Sequence, residues 1–158
     1  MYPVFLDKNS ALRAIMPDLY IGDSSSPMRL DERIGPKFGA ISLYTSDNLC
    51  MGRGMVFQNL PFSLTLPFYD GEFIPEFVLE TAYNFVFFPQ KFGLPPTPLL
   101  IHCQAGASRS ASVGYALLRL KLGLSHEDAK KRVQISDNLP RPATLQSTRN
   151  WVHKKSCL

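Results

Sequence analysis

HCQAGASRS, residues 102–110, is the stretch of this sequence that decides the fold. The four residues before it, PLLI at 98–101, form a short apolar run that predicts a buried strand. The ten residues after it, 111–120, are mostly small or apolar and predict a helix. Cys103 therefore lies where a strand ends and a helix is about to begin.

A loop at this position is suited to binding an anion. Where a chain curls into the first turn of a helix, several backbone N–H groups lack partners within the helix, and the positive end of the helix dipole lies behind them. Phosphate binds well at such a place. Gly106 allows backbone angles that other residues resist, and Arg109 adds a planar fork for two phosphate oxygens.

Cys103 lies within the same field, which would stabilise its thiolate form. An isolated cysteine at the end of a buried strand is more often a small core residue. Here the cysteine comes with a preceding histidine, a glycine three positions later and an Arg-Ser pair. This combination predicts a nucleophile at the floor of an anion site.

These residues resemble the signature loop of the dual-specificity protein phosphatases, within the cysteine-dependent protein tyrosine phosphatase superfamily. Ala-Gly-x-Ser-Arg-Ser, at residues 105–110, is the form of the loop typical of that group, and the resemblance extends over residues 15–155. It implies a phosphatase that needs no metal or other cofactor and works through a cysteinyl-phosphate intermediate.

The resemblance also implies roles for the loop residues. Cys103 is expected to be the nucleophile, Arg109 to hold the phosphate, and Ser110 to hydrogen-bond the departing sulfur. His102 is expected to orient the loop backbone and support the thiolate. The backbone N–H groups that hold the phosphate are expected from Gln104, Ala105, Gly106, Ala107 and Ser108.

A thiolate that attacks a phosphate monoester must expel an alkoxide or phenoxide, so a proton donor is needed. Asp70 is the only aspartate between Asp47 and Asp128, and it lies 33 residues before Cys103 in a loop just before a predicted helix. Dual-specificity phosphatases carry their general acid in a similar loop at a similar distance, so the resemblance assigns this role to Asp70. Glu72 is the alternative acid. The loop at residues 67–73 is longer and richer in proline and phenylalanine than the family's usual loop, which leaves the choice between Asp70 and Glu72 open. An Asp-Gly turn exposed to water is the structural alternative.

Length and composition predict one soluble globular domain spanning residues 1–158. No apolar run approaches the roughly 20 residues that span a membrane. The net charge of +4 is mild, and no basic stripe interleaved with aromatic residues suggests nucleic-acid binding. Phosphorylated proteins are the expected partners, and a monomer is the expected state.

The chain has three cysteines, Cys50, Cys103 and Cys157, without the spacing of metal ligands. This odd number favours a reducing, intracellular setting, in the cytoplasm or the nucleus. A protective disulfide between Cys50 and Cys103 is one interpretation of Cys50, and a buried thiol is the other.

Strand and helix patterns alternate along the chain and predict an α/β fold, with a central, mostly parallel sheet covered by helices on both faces. Residues 1–18 are expected to be a lead-in and residues 59–71 a loop. Strands are expected at 19–22, 38–43, 55–58 and 98–101, and helices at 28–34, 75–89, 111–120, 125–135 and 144–155. The aromatic residues expected in the core are Phe77, Phe85, Phe87, Phe88 and Trp151.

Three functional hypotheses follow from these residues. The first is a protein phosphatase that acts on phosphotyrosine and phosphoserine or phosphothreonine. The second is a phosphatase for a phosphoinositide, a glucan or an RNA 5′-phosphate, which the absence of lysine from residues 102–110 disfavours. The third is a non-catalytic phosphate-binding module, which would not need the thiol of Cys103.

Overall fold

A six-stranded, mostly parallel sheet forms the centre of the protein, in a computed structural model that describes residues 1–7, 11–44, 59–136 and 140–157. The strands are β1 (Val4–Phe5), β2 (Arg13–Met16), β3 (Leu19–Gly22), β4 (Gly39–Ser42), β5 (Ser63–Thr65) and β6 (Leu99–His102). The order across the sheet is β1-β2-β3-β6-β4-β5. Neighbours pair antiparallel from β1 through β2 to β3, and in parallel from β3 through β6 and β4 to β5.

The helices lie on both faces of this sheet. Along β6, Leu99 and Ile101 belong to the larger apolar cluster and Leu100 to the smaller, because successive side chains of a strand point to opposite faces. Helix α1 packs on the smaller cluster and the other helices on the larger. The predicted α/β fold is confirmed. In the described part of the chain the helices are α1 (Ser26–Ile34), α2 (Glu76–Phe87), α3 (Arg109–Leu122), α4 (His126–Val133) and α5 (Pro142–Ser156).

Capping and turn residues in the sequence predicted the ends of the helices to within two residues. Gly123 ends α3 in the left-handed conformation, with φ of 65°. The side chain of Ser125 accepts a hydrogen bond from the backbone N–H of Asp128 at 3.2 Å and so caps α4. Helix α4 ends at Val133, two residues before the predicted end, and α5 begins at Pro142, two residues before the predicted start.

Two predicted irregular segments contain strands. Residues 1–18 include β1 and β2, and residues 59–71 include β5. β1 and β5 have two and three residues, and β2 begins with a charged residue, Arg13, so none of the three shows the apolar run that marks β3 and β6. Their backbones are ordered by pairing with neighbouring strands instead. The predicted strand at 55–58 and Cys50 lie outside the described residues.

The aromatic residues of α2 divide between core and surface. Phe77 was predicted to lie in the core, but this was wrong: it is 59% exposed, because α2 turns Val78, Leu79 and Ala82 inward instead. Phe85, Phe87 and Phe88 are half-buried.

Trp151 of α5 is buried, as predicted. Its indole N–H donates to the carboxylate of Glu80 on α2 at 2.9 Å. Helices α2 and α5 are therefore joined at this point. No helix in the described segments is both long and apolar enough to cross a membrane.

Leu100→Ala should lower the free energy of unfolding by about 2–5 kcal/mol, because it opens a cavity beside the central strand of the sheet. Leu100 has no exposed surface. Urea denaturation measures the change. The matched control is Leu122→Ala at the exposed end of α3, for which a change within about 0.5 kcal/mol is expected. Equal losses in the two variants would contradict this account of the core.

Candidate active site

The cysteine loop, residues 103–109, joins the carboxyl end of β6 to the first turn of α3. Cys103 is 2% exposed. Its Sγ accepts from the N–H of Gly106 at 3.2 Å and from the N–H of Ser110 at 3.5 Å. The hydroxyl of Ser110 lies 3.3 Å from the same sulfur. Two backbone N–H donors therefore converge on the sulfur, and the neighbouring hydroxyl of Ser110 also donates to the carbonyl of Gly22 at 3.2 Å.

The chain beside the loop holds its backbone. The N–H of Ser24 donates to the carbonyl of Gln104 at 3.2 Å, and the N–H of Cys103 donates to the carbonyl of Gly22 at 3.1 Å. A trans peptide unit is planar, so its N–H points opposite to its carbonyl. Because the Gln104 carbonyl is held by Ser24, outside the loop, the N–H of Ala105 points to the other side, toward the centre of the loop.

Asp23 lies in this neighbouring segment, between Gly22 and Ser24, and its side chain is a hydrogen-bonded carboxylate. It accepts from the N–H of Ser25 at 2.9 Å and from the hydroxyls of Ser25 and Ser26 at 2.7 and 3.0 Å. Burial raises the pKa of Asp23, but the hydrogen bonds from Ser25 and Ser26 outweigh it and hold that pKa below its usual value. A fixed negative charge therefore lies behind the loop.

Gly106 is required both by its conformation and by its surroundings. Its φ is 72°, in the left-handed region. A Cβ at this position would lie 2.6 Å from the Cβ of Ala11 and 2.9 Å from the backbone carbon of Gly22. The loop thus packs directly against the backbone of the neighbouring segment.

Arg109, the first residue of α3, joins the cysteine loop to the loop at residues 67–73. Its guanidinium donates through Nη1 to the carbonyl of Phe68 at 3.1 Å and to that of Leu43 at 3.3 Å. The side chain is half-buried. Its position at the start of α3, next to the cysteine loop, is compatible with a fork for two phosphate oxygens.

His102 lies behind the loop, where it is fully buried. Its Nε2 is 2.7 Å from the hydroxyl of Ser42, and its ring meets the ring of Tyr44 edge to face at 5.4 Å. Its carbonyl accepts from the N–H of Leu43 at 2.9 Å. His102 therefore fixes the start of the loop from within the sheet, which is the geometry an orienting residue requires.

Asp70 is connected to the cysteine loop through Arg141. The Nε of Arg141 donates to the carboxylate of Asp70 at 2.9 Å, and the backbone N–H of Arg141 donates to the hydroxyl of Ser108 at 3.1 Å. The side chain of Asp70 is 33% exposed. Glu72 is exposed, and its backbone carbonyl accepts from the hydroxyl of Thr144 at 3.0 Å.

Sequence reasoning missed three residues that hold the site together: Ser42, Arg141 and Arg13. Ser42 had a usable signal, because it ends β4 beside β6 and pairs in register with His102. Arg141 was interpreted only as part of a turn. Arg13 falls in the predicted lead-in at residues 1–18, yet it is fully buried and bonds to the carbonyl of Gly106 at 3.1 Å. Among the residues described here, no three His, Cys, Asp or Glu side chains cluster as metal ligands would.

Gly106→Ala should weaken the binding of inorganic phosphate by about 10²-fold, because the loop must shift away from Ala11 and Gly22 to admit the methyl group. Isothermal titration calorimetry measures the affinity. Gly93→Ala is the matched control: Gly93 also has a positive φ, 69°, but nothing lies within 4 Å of its Cβ position. The control should lose about 1–2 kcal/mol of stability and keep its phosphate affinity. Unchanged affinity in Gly106→Ala would contradict the proposed packing of the loop.

Comparison with solved structures finds proteins of the dual-specificity and tyrosine phosphatase type. Tk-PTP in its active form matches with 22% identity and a TM-score of 0.66, over 92% of this chain and 95% of that one. The human tyrosine phosphatase-like serine/threonine/tyrosine-interacting protein matches with 20% identity and a TM-score of 0.71, over 92% and 97%. PTPMT1 in complex with PI(5)P matches with 20% identity and a TM-score of 0.70, over the same shares. No protein-family model matches the sequence, and no curated protein matches it. The protein has the fold of the dual-specificity and tyrosine phosphatases, as its cysteine loop predicts.

Proposed function

We propose that this protein is a phosphoester hydrolase that removes phosphate from phosphotyrosine and from phosphoserine or phosphothreonine in proteins. One observation carries the proposal. The sulfur of Cys103 lies at the start of α3, within hydrogen-bonding distance of two backbone N–H groups and one hydroxyl, in a loop that Arg109 closes. This arrangement supports a role for Cys103 as the nucleophile at the floor of an anion site.

In the first step the Cys103 thiolate attacks phosphorus, forming the S–P bond as the bond from phosphorus to the substrate oxygen breaks. The loop N–H groups and the guanidinium of Arg109 hold the three remaining phosphate oxygens, whose charge is greatest in the transition state. The protonated carboxyl of Asp70 gives its proton to the departing oxygen. The products of this step are the dephosphorylated substrate, the Asp70 carboxylate and phosphocysteine.

In the second step the Asp70 carboxylate accepts a proton from water while the water oxygen attacks phosphorus. The S–P bond breaks, and the sulfur leaves as a thiolate. The hydroxyl of Ser110, 3.3 Å from the sulfur, donates to it as its negative charge returns. Inorganic phosphate leaves, and Asp70 is again protonated for the next cycle.

The charge carried by the loop residues themselves favours substrates with a single phosphate. Within residues 102–110 the one cationic side chain that is charged throughout the neutral range is that of Arg109. Phosphoinositides are the second candidate substrates, because PTPMT1, a structural neighbour, forms a complex with PI(5)P. A binding role without turnover is the third, since another neighbour bears the name of an interacting protein.

Cys103→Ser should abolish turnover and keep inorganic phosphate binding within about tenfold of wild type, because serine stays protonated while the N–H groups and Arg109 remain. The rate is measured on a phosphotyrosine peptide, a phosphothreonine peptide and soluble PI(5)P. Cys157→Ser, at the other free cysteine among the described residues, is the control and should match wild type.

Three outcomes separate the candidates. Turnover by wild type that survives EDTA and is lost in Cys103→Ser supports the cysteine mechanism. A larger kcat/KM on PI(5)P than on either peptide overturns the assignment of protein substrates. Phosphate binding without turnover on any of the three substrates overturns the hydrolase in favour of a binding module.

Asp70→Ala should lower kcat on a phosphotyrosine peptide by about 10²–10⁴-fold, the usual contribution of general acid catalysis. The loss should shrink on an activated aryl phosphate, whose phenoxide leaves almost unaided. The alkaline fall of the pH–rate profile, which reports loss of the acid's proton, should flatten in Asp70→Ala. Glu72→Ala is the matched control and should keep that limb. The reverse pattern would make Glu72 the acid.

A further inference from the structure

Arg13 is an arginine buried behind the cysteine loop. It is the first residue of β2 and has no exposed surface. Its Nη1 donates to the carbonyl of Ala11 at 2.6 Å and to that of Gly106 at 3.1 Å, and its Nη2 donates to the carbonyl of Val133. One guanidinium thus joins β2, the cysteine loop and the last residue of α4.

This burial is costly. Burial lowers the pKa of Arg13 to about 10, although the negative charges of Cys103 and Asp23 act in the opposite direction. The Nε–H of Arg13 is buried without a hydrogen-bond partner among the described residues. An apolar side chain of similar volume would avoid both costs but would leave the carbonyls of Ala11, Gly106 and Val133 without this donor. The role of Arg13 therefore lies in the carbonyls that it holds, and that of Gly106 belongs to the cysteine loop.

The contact with Gly106 determines which way one peptide unit of the loop faces. The carbonyl of Gly106 and the N–H of Ala107 belong to the same planar unit and point in opposite directions. Because Arg13 holds this carbonyl behind the loop, the N–H of Ala107 points into the loop, toward the position of the phosphate. If this peptide unit turned over, the carbonyl oxygen would face the phosphate and repel it.

Gly106 is the residue at which such a turn would cost least, since glycine adopts positive and negative φ with similar ease. The orientation of the peptide unit after Gly106 depends on ψ of Gly106 and φ of Ala107, and a hydrogen bond to the carbonyl selects one orientation. Arg13 supplies a charged donor there, and charge-assisted hydrogen bonds are about twice as strong as neutral ones.

We propose that Arg13 is a positioning residue of the anion site: it holds the carbonyl of Gly106 outward so that the N–H of Ala107 binds the phosphate. The inference rests on the proposed function only in requiring that the loop binds a phosphate-like anion. A test that needs no turnover therefore separates the two.

The test compares two reagents that alkylate Cys103, anionic iodoacetate and neutral iodoacetamide, with the rates read by mass spectrometry of the Cys103 peptide. The rate ratio reports how well the loop binds an anion next to the sulfur. General loosening of the structure exposes the thiol to both reagents. Arg13→Met should lower the ratio of iodoacetate to iodoacetamide by about tenfold and lower kcat/KM by about 10²-fold.

Arg132→Met is the matched control. Arg132 also donates through Nη1 to a backbone carbonyl of β2, that of Ile15 at 3.2 Å, but its described contacts do not include the cysteine loop. The control should keep the wild-type ratio, whatever stability it loses. Arg13→Lys, which keeps the charge and one donor group, should recover part of the ratio.

Circular dichroism establishes that each variant is folded under the alkylation conditions. A folded Arg13→Met with the wild-type ratio overturns the inference. If Arg13→Met does not fold, Arg13→Leu, which also lacks an N–H donor in its side chain, is read by the same criterion. If wild type hydrolyses no phosphoester while the ratio still falls in the Arg13 variant, the inference stands and the proposed function fails.

Discussion

A planar peptide unit cannot turn its carbonyl and its N–H to the same side, and the candidate site depends on this constraint. For the N–H groups of the cysteine loop to face an anion, the carbonyls must find donors behind the loop. The backbone N–H of Ser24 supplies one and the side chain of Arg13 another. The anion site is thus built as much by its surroundings as by the loop itself.

Helix α5 fastens the loop that carries Asp70 to the rest of the site. The side chain of Arg141 bonds to Asp70, and the hydroxyls of Thr144 and Ser147 bond to the backbone of that loop at Glu72 and Ile74. The backbone N–H of Arg141 also bonds to Ser108 of the cysteine loop. The first turns of α5 therefore set the distance between the expected acid and the expected nucleophile.

Sequence reasoning succeeded where chemistry is local. The order strand, cysteine loop and helix could be predicted because the apolar run, Gly106 and Arg109 act within a few residues of one another. The cap of α4 at Ser125 is another local signal.

Arg13 and Arg141 could not be placed in this way, since their hydrogen-bond partners are distant in sequence: Gly106 is 93 positions from Arg13, and Asp70 is 71 positions from Arg141. The short strands β1, β2 and β5 were missed for the same reason, because pairing rather than composition orders them.

Trp151 is the single tryptophan of the chain, and its place on α5 gives the protein an internal optical probe. The indole is buried, bonds to Glu80 on α2 and lies edge to face with Tyr83, 6.0 Å away. Its fluorescence therefore reports the docking of α5 onto α2, and α5 carries the contacts that hold Asp70 near the cysteine loop. Trp151 emission recorded at the red edge of the spectrum, while an anion is titrated, therefore reports changes in the packing of α5 on α2. No added fluorophore is needed.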